Sequence, residues 1–399
     1  MNTATMSNSL PLETTSEDRA AGTSSFGAAI ACTIAVRALI FSLGVLAVYT
    51  AQDRMNADNA TGHPWVAWDG NHYVTLSELG YAPSMDHPRF SLIAFFPALP
   101  LAARTLTWFM HSTTALVVIA NLCTVIGFGF LYSWAKQLAG QRIAMLGVLV
   151  LLTFPGSVFF SAGLTEGPFF MLSAITMWAL SRGKYWPAAL AAAIATATRP
   201  TGVALALLVP LHYFIYHPDL PFFRRAAMFV VLGFFSALGG MMYQTFIWQR
   251  YKAPDAYFQA QHEWEVADKE KVSAEASEGI TRYSVKFFLD RAGRPQAWNR
   301  ILGLALVVII AVGLFKPGPI PRIFFLVPLF IFLMTYLPNN GLRASSIIRY
   351  ETAGIPIFLL VAYWLTNIER RSVLMVVLGA QLLVQCFYAI QFSRGYWVG

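Results

Sequence analysis

Charge is scarce in this sequence, and cysteine is scarcer. Only 12% of the 399 residues are Asp, Glu, Lys or Arg, against about 25% in an average soluble domain, which excludes a water-soluble protein built around a single core. The three cysteines, Cys32, Cys123 and Cys386, lie in apolar stretches without paired spacing, so no disulfide framework and no redox chemistry are expected. There is no Asp-x-Asp motif and no histidine cluster, and hence no evident divalent-metal site. No repeat recurs at a fixed period. The first apolar segment has no small-residue cleavage site, so it reads as a retained span rather than a signal peptide.

What fills the sequence instead is apolar: 57% of residues are hydrophobic and the mean hydropathy is +0.55. Residues 1–26 are polar and are expected to form a disordered cytoplasmic terminus. After them come apolar segments at 27–50, 114–135, 143–161, 165–181, 185–198, 201–216, 226–248, 299–315, 321–337, 346–365 and 372–392, each at or near the length that crosses a hydrocarbon core of ~30 Å. The expectation is an all-α polytopic membrane protein of about 11 spans (range ~10–13), with residues 27–399 as one transmembrane domain. The stretch 90–108 contains Pro97, Pro100 and Arg104 and reads as an interfacial or re-entrant helix.

Basic residues set the orientation. Lys136/Arg142, Arg182/Lys184, Arg224/Arg225, Lys316/Arg322 and Arg370/Arg371 fall in every second loop, which assigns those loops to the cytoplasm. The net charge of +8 is therefore largely topological and gives no reason to expect a nucleic-acid partner. Two long hydrophilic insertions, about 51–90 and 249–298, then share the extracytoplasmic face, within extracytoplasmic loops 51–113 and 249–298.

The remaining charges on that face are the candidates for chemistry. Asp69 follows Trp68 and precedes Gly70, Asn71, His72 and Tyr73; it is either a carboxylate able to take a proton from a hydroxyl nucleophile or a simple helix N-cap. Glu166, flanked by apolar residues, is costly at membrane depth and implies a cavity or a partner, with helix capping as the alternative. Arg199, before Pro200, suits a phosphate beside a helix start, or snorkels to the interface. Arg343 and Arg349, with Tyr350 and Glu351, run against the charge rule and argue for an anionic partner or an internal ion pair, either Arg349 with Glu351 or an arginine with Glu166. Asp255, Gln261 and Trp264 have the composition of a sugar-binding surface or of an interfacial helix.

In order along the chain, these pieces resemble the family of the second mannosyltransferase of GPI-anchor assembly (PIG-V) and its bacterial relatives, membrane glycosyltransferases of the GT-C class. The resemblance is carried by Trp68-Asp69-Gly70-Asn71-His72-Tyr73 with Gly80-Tyr81, Phe95-Phe96-Pro97 with Pro100, and Phe154-Pro155 with Ser161 and Thr165-Glu166. It continues through Ala197-Thr198-Arg199-Pro200-Thr201-Gly202, Asp255-Ala256-Tyr257-Phe258 with Gln261 and Trp264, and Arg349-Tyr350. Leu164 and Thr201 depart from the family pattern, which weakens an inference to mannose in particular.

The resemblance implies a GT-C-type bundle and inverting transfer of a hexose from a polyprenyl-phosphate sugar to a hydroxyl of a lipid-linked, glycan or protein acceptor. The reaction would take place on the non-cytoplasmic face, in a bacterial inner membrane or the membrane of the endoplasmic reticulum, without a cofactor. Asp69 would be the base and Glu166 the runner-up. Arg199, Arg349 and Arg343 would hold the donor phosphate, with Trp68, His72, Tyr73, Asp255, Gln261, Trp264 and Tyr350 lining the substrates. A transporter or lipid flippase, or a non-catalytic subunit serving a membrane partner, are the competing readings.

Overall fold

The computed structural model describes residues 16–50, 62–264, 295–336 and 346–398. Those residues are helical, with no strand among them. The protein is thus an all-α polytopic membrane protein. Four helices are long and apolar enough to cross a bilayer alone: the stretch Ser24–Thr50 of α1 (Ser16–Thr50), α4 (Ser112–Thr153), α8 (Phe222–Tyr251) and α14 (Arg371–Ser393). Helix α1 begins inside the polar segment that precedes residue 27. Gly140, at φ 84°, breaks α4 where the hydropathy pattern separates 114–135 from 143–161.

Between the long helices the structure is interrupted, and each interruption has a cause in the sequence. Phe154-Pro155 ends α4, because proline cannot continue the helical hydrogen bonding; a 3₁₀ stretch Pro155–Ser161 follows, bent by 105° from α5 (Glu166–Leu180). The apolar run 143–161 is therefore not one straight helix. A second pair, Ile347–Ala353 and α13 (Ile355–Leu365), is bent by 85° at Gly354; the helical turn Ile347–Tyr350 is α12. Helix α6 (Tyr185–Thr196) has 12 residues, about 18 Å at ~1.5 Å per residue, well short of the bilayer core. Helix α7 (Val203–Tyr216) starts after the Pro200–Gly202 turn.

The first insertion packs onto this bundle as α2 (Asp69–Leu79), a 3₁₀ turn at Phe90–Ala94 and α3 (Ala98–Leu106). Helix α3 has nine residues, about 14 Å, so it does not reach across a bilayer. Part of the second insertion, a helix over 256–264 (α9), lies on the same side, with the Trp264 indole donating to the Ser91 carbonyl at 2.9 Å. Helices α10 (Pro295–Phe315) and α11 (Leu326–Tyr336) complete the described chain.

The core is aromatic. Trp65, Trp134, Phe128, Phe159, Phe160, Phe169 and Phe170 are fully buried, with edge-on contacts such as Phe128 to Phe160 at 6.0 Å, a geometry that adds to the area buried. Opposite ends of α5 carry opposite kinds of residue. Glu166 stands at its start, while Arg182 and Lys184 follow its end. Gln137 beside Lys136 donates to Ser181 O at 3.0 Å, which gathers two of the basic pairs at the end of the bundle away from Glu166.

Candidate functional site

Four chain segments meet at the start of α5, and each delivers one charged side chain. Arg199 has an extended backbone, φ −157° and ψ 153°, the conformation that a following proline imposes. Gly202 lets this turn press against α6, since a Cβ there would collide with the Ala195 carbonyl. Gly167 does the same for α5 against Ala120 of α4, bringing Glu166 into the interior. Arg349 comes from α12, and Asp69 opens α2.

Their side chains form one chain of ion pairs. Arg349 Nη2 donates to Asp69 Oδ2 at 2.7 Å, and Arg349 Nε donates to Glu166 Oε1. Arg199 Nη1 lies 3.2 Å from that same Glu166 oxygen. Two carboxylates thus balance two guanidiniums, the condition for charges to be kept away from water. The Glu166 side chain is fully buried and that of Arg349 is 4% exposed, whereas Asp69 is 33% exposed. Asp69 is the member that an incoming molecule can reach.

Helix capping does not account for either acid. Asp69 is the first helical residue, after Trp68 in the N-cap position, and Glu166 follows Thr165 in the same way; neither Trp68 nor Thr165 makes a side-chain cap bond. Trp68 itself is unusual. Its φ of 47° lies in the region that disfavours side chains and costs about 1–3 kcal/mol where it is enforced. Its ring is held by Phe392 and Trp397, each with centroids 5.1 Å away.

Aromatic rings surround the arginines. Tyr350 lies under both, 4.6 Å from the Arg199 guanidinium carbon and 5.6 Å from that of Arg349. Phe169 adds a face to Arg199, and Phe159 and Trp397 add faces to Arg349. Such rings stabilise a cation without neutralising it.

Loss of water around Asp69 works against its ionisation, but the charge and hydrogen bond of Arg349, helped by His72 and Arg199, outweigh it and hold the carboxyl below the usual carboxylate range. Burial pushes His72 below the usual imidazole range, against the pull of Asp69. Burial also raises the Tyr73 phenol, which therefore stays protonated.

Of the other residues singled out in the sequence, His72 packs on Phe95 at 4.8 Å and on Trp264 at 5.1 Å, so Trp264 reaches the rim of the site. Tyr73 packs on Phe95 at 5.5 Å. Asp255 and Gln261 make their contacts locally instead: Asp255 accepts from Gln259 at 2.9 Å, and Gln261 donates to the Tyr257 hydroxyl at 3.1 Å. Arg343 lies outside the described residues.

Arg37 was missed by the sequence reasoning. It sits in the middle of α1, buried, and donates to Ser157 O at 2.8 Å and to the Ser161 hydroxyl, with no carboxylate partner among the described residues. A lone arginine inside an apolar run was the available signal. Trp397, at the site through Trp68 and Arg349, carried no such signal.

Comparison with known proteins finds a relative of the kind the motifs suggested. Over part of its length this chain resembles a mannosyltransferase. The relative is GPI alpha-1,6-mannosyltransferase 2 of Homo sapiens, 32% identical over 149 residues, a stretch covering 34% of this chain and 29% of that protein. No protein-family model matches the chain.

Among solved structures, the apo oligosaccharyltransferase of Archaeoglobus fulgidus aligns at a TM-score of 0.46 and 12% identity, over 92% of this chain and 56% of that one. The oligosaccharyltransferase AglB of the same organism, in complex with an inhibitory peptide and a dolichol-phosphate, aligns at 0.43 and 10% identity, over the same shares. The chain thus spans little more than half the length of these structures and under a third of the mannosyltransferase.

Proposed function

We propose that this protein is a membrane glycosyltransferase that moves a hexose from a polyprenyl-phosphate sugar to an acceptor hydroxyl, with inversion, at the Asp69 end of the bundle and on the extracytoplasmic face. One observation carries the reading. Asp69, Glu166, Arg199 and Arg349, distant in sequence and drawn from four segments, form a single ion-paired network with one accessible carboxylate. Partial similarity to a mannosyltransferase supports the reaction class. Against a transporter stands the absence of any recurring sequence segment of the kind that internal transporter repeats leave.

In this mechanism Asp69 accepts the proton of the acceptor hydroxyl as its oxygen attacks the anomeric carbon. The glycosidic bond to phosphate breaks on the opposite side, and the departing lipid phosphate is stabilised by Arg349 and Arg199. Glu166 has both arginines on one oxygen, so its role is to hold and aim them. The Asp69–Arg349 pair gives the mechanism a timing. While Arg349 is bound to Asp69, the carboxylate is a weak base; a donor phosphate that draws the guanidinium to itself restores the basicity of Asp69 when the acceptor is present. Trp68, His72, Tyr73, Trp264 and Tyr350 supply the aromatic and polar rim for the sugars.

Transfer of radiolabelled sugar from a polyprenyl-phosphate donor is the test. Asp69→Asn should lower transfer by at least ~100-fold, the usual scale for losing a general base, in protein that still inserts and folds. Retained turnover would remove Asp69 from the reaction, and movement of lipid without covalent transfer would favour a flippase.

A further inference from the structure

Two parts of the motif pattern take no part in the ion-paired network: Gly80-Tyr81, and Pro97 with Pro100. Both line a separate pocket of about 310 Å³ between the end of α2, α3 and the last turns of α8. Its walls include the exposed apolar side chains of Leu79, Leu101 and Phe246, and its charged lining is Arg104 and Arg250, with no carboxylate. Apolar walls with a few convergent polar groups are the ordinary form of a ligand site.

The fold occupies the two arginines unequally: Arg250 interacts with the Tyr251 hydroxyl and the Ala82 carbonyl, whereas Arg104 is left open. Arg250 donates through Nε to the Ala82 carbonyl at a long 3.3 Å, a carbonyl that the Tyr251 hydroxyl already engages at 2.8 Å. The Arg104 guanidinium makes no hydrogen bond or ion pair among the described residues. Glu78 shares a neighbouring pocket with Arg104, yet its carboxylate takes the Ser112 hydroxyl and forms no ion pair with Arg104. Two always-charged forks facing one pocket without an anion leave a site complementary to phosphate.

The depth of the site follows from its neighbours. Trp108 and Phe109, one turn beyond Arg104, are 88% and 84% exposed, as aromatic side chains at a membrane–water interface are. Arg104 thus stands at headgroup level, with Leu79, Leu101 and Phe246 available to hydrocarbon. We propose that this pocket binds the phosphate of a membrane lipid of net negative charge, held between Arg104 and Arg250, with its chain along the apolar wall. The site is separate from the Asp69 network and does not rest on the glycosyl-transfer reading.

Native mass spectrometry of the full chain, released from micelles doped with phosphatidylglycerol or phosphatidylcholine, tests this. The wild type should retain one phosphatidylglycerol in preference to phosphatidylcholine, and Arg104→Gln with Arg250→Gln should weaken that retention at least ~10-fold, as expected for losing two charge-assisted contacts. An unchanged unfolding temperature shows that the fold is kept. Should the double variant not fold, Arg104→Gln alone decides, because its guanidinium makes no hydrogen bond or ion pair among the described residues.

Added polyprenyl phosphate separates the sources: displacement of the phosphatidylglycerol at equimolar amounts assigns the site to a phosphoprenyl lipid, and no displacement assigns it to acidic phospholipid. Either result upholds a lipid-phosphate site. Equal retention of phosphatidylglycerol by wild type and variant, or of both phospholipids by the wild type, overturns it.

Discussion

Arg349 and Arg37 are both buried arginines of the same bundle, and both touch the region between Phe154 and Glu166, yet they are satisfied in opposite ways. Arg349 is balanced by two carboxylates. Among the described residues Arg37 has a backbone carbonyl, a hydroxyl and the face of Phe160 at 6.0 Å, which solvate its charge without cancelling it. The difference separates two uses of a costly residue. Arg37 seals and fixes a bend: it ties α1 to the Pro155–Ser161 turn, whose following Gly163 N–H is bonded to Trp65 O at 2.8 Å, four residues before Asp69. Arg349 belongs to a network with an opening to the outside, where the arrangement of charge can change when a ligand enters.

The largest expected effect follows from breaking the balance. Glu166→Gln leaves two buried guanidiniums with Asp69 alone, and Arg349→Met leaves two carboxylates, Glu166 fully buried, to Arg199 alone; each should cost about 3–5 kcal/mol, the scale for removing one partner of a buried pair. Thermal unfolding in detergent measures it. Arg37→Met removes a charge that no carboxylate among the described residues neutralises, so recovered desolvation offsets the lost hydrogen bonds, and its cost should stay near ~1 kcal/mol. A loss for Arg37→Met equal to that for Arg349→Met would erase the distinction.

The smallest effect is expected from pH. Asp69 has its folded pKa held down, so its contribution to stability is present above its unfolded value of ~3.9 and is lost only as pH falls through the lower folded value. His72, shifted downward, is neutral at pH 7. The unfolding temperature should therefore decline as pH falls through ~6.5, where the unfolded chain takes up a proton at this histidine before the folded one does, and decline again below ~4 as Asp69 is protonated, while the transfer rate should show no titration of Asp69 above pH ~6. An inflection of the transfer rate near 6.5 that vanishes in His72→Gln would show that the histidine, and not only the carboxylate, titrates in the reaction.

Much of the site was legible because charge is so rare. Once the basic pairs were assigned to loops, Asp69, Glu166, Arg199 and Arg349 were left over on one face, and the structure joins them. The pairing of Glu166 with an arginine was one of the alternatives that the sequence kept open. Helix lengths were less legible: hydropathy runs through Phe154-Pro155 without a pause, since proline and its neighbours there are as apolar as the helices they separate. Trp68 was illegible for a different reason. A positive φ is signalled in sequence by glycine, and here an indole occupies the position because packing by Phe392 and Trp397 overrides the local preference.

That packing has a consequence for the order in which the molecule is made. A chain that enters the membrane from its first helix onward exposes Asp69 early, but the rings that fix the backbone beneath it belong to residues 392 and 397, and its ionic partner lies 280 positions away. The carboxylate therefore cannot take its final aim until α14 has been synthesised, inserted and docked. Ribosome-bound or C-terminally shortened chains can hold every earlier helix in place and still lack a finished site.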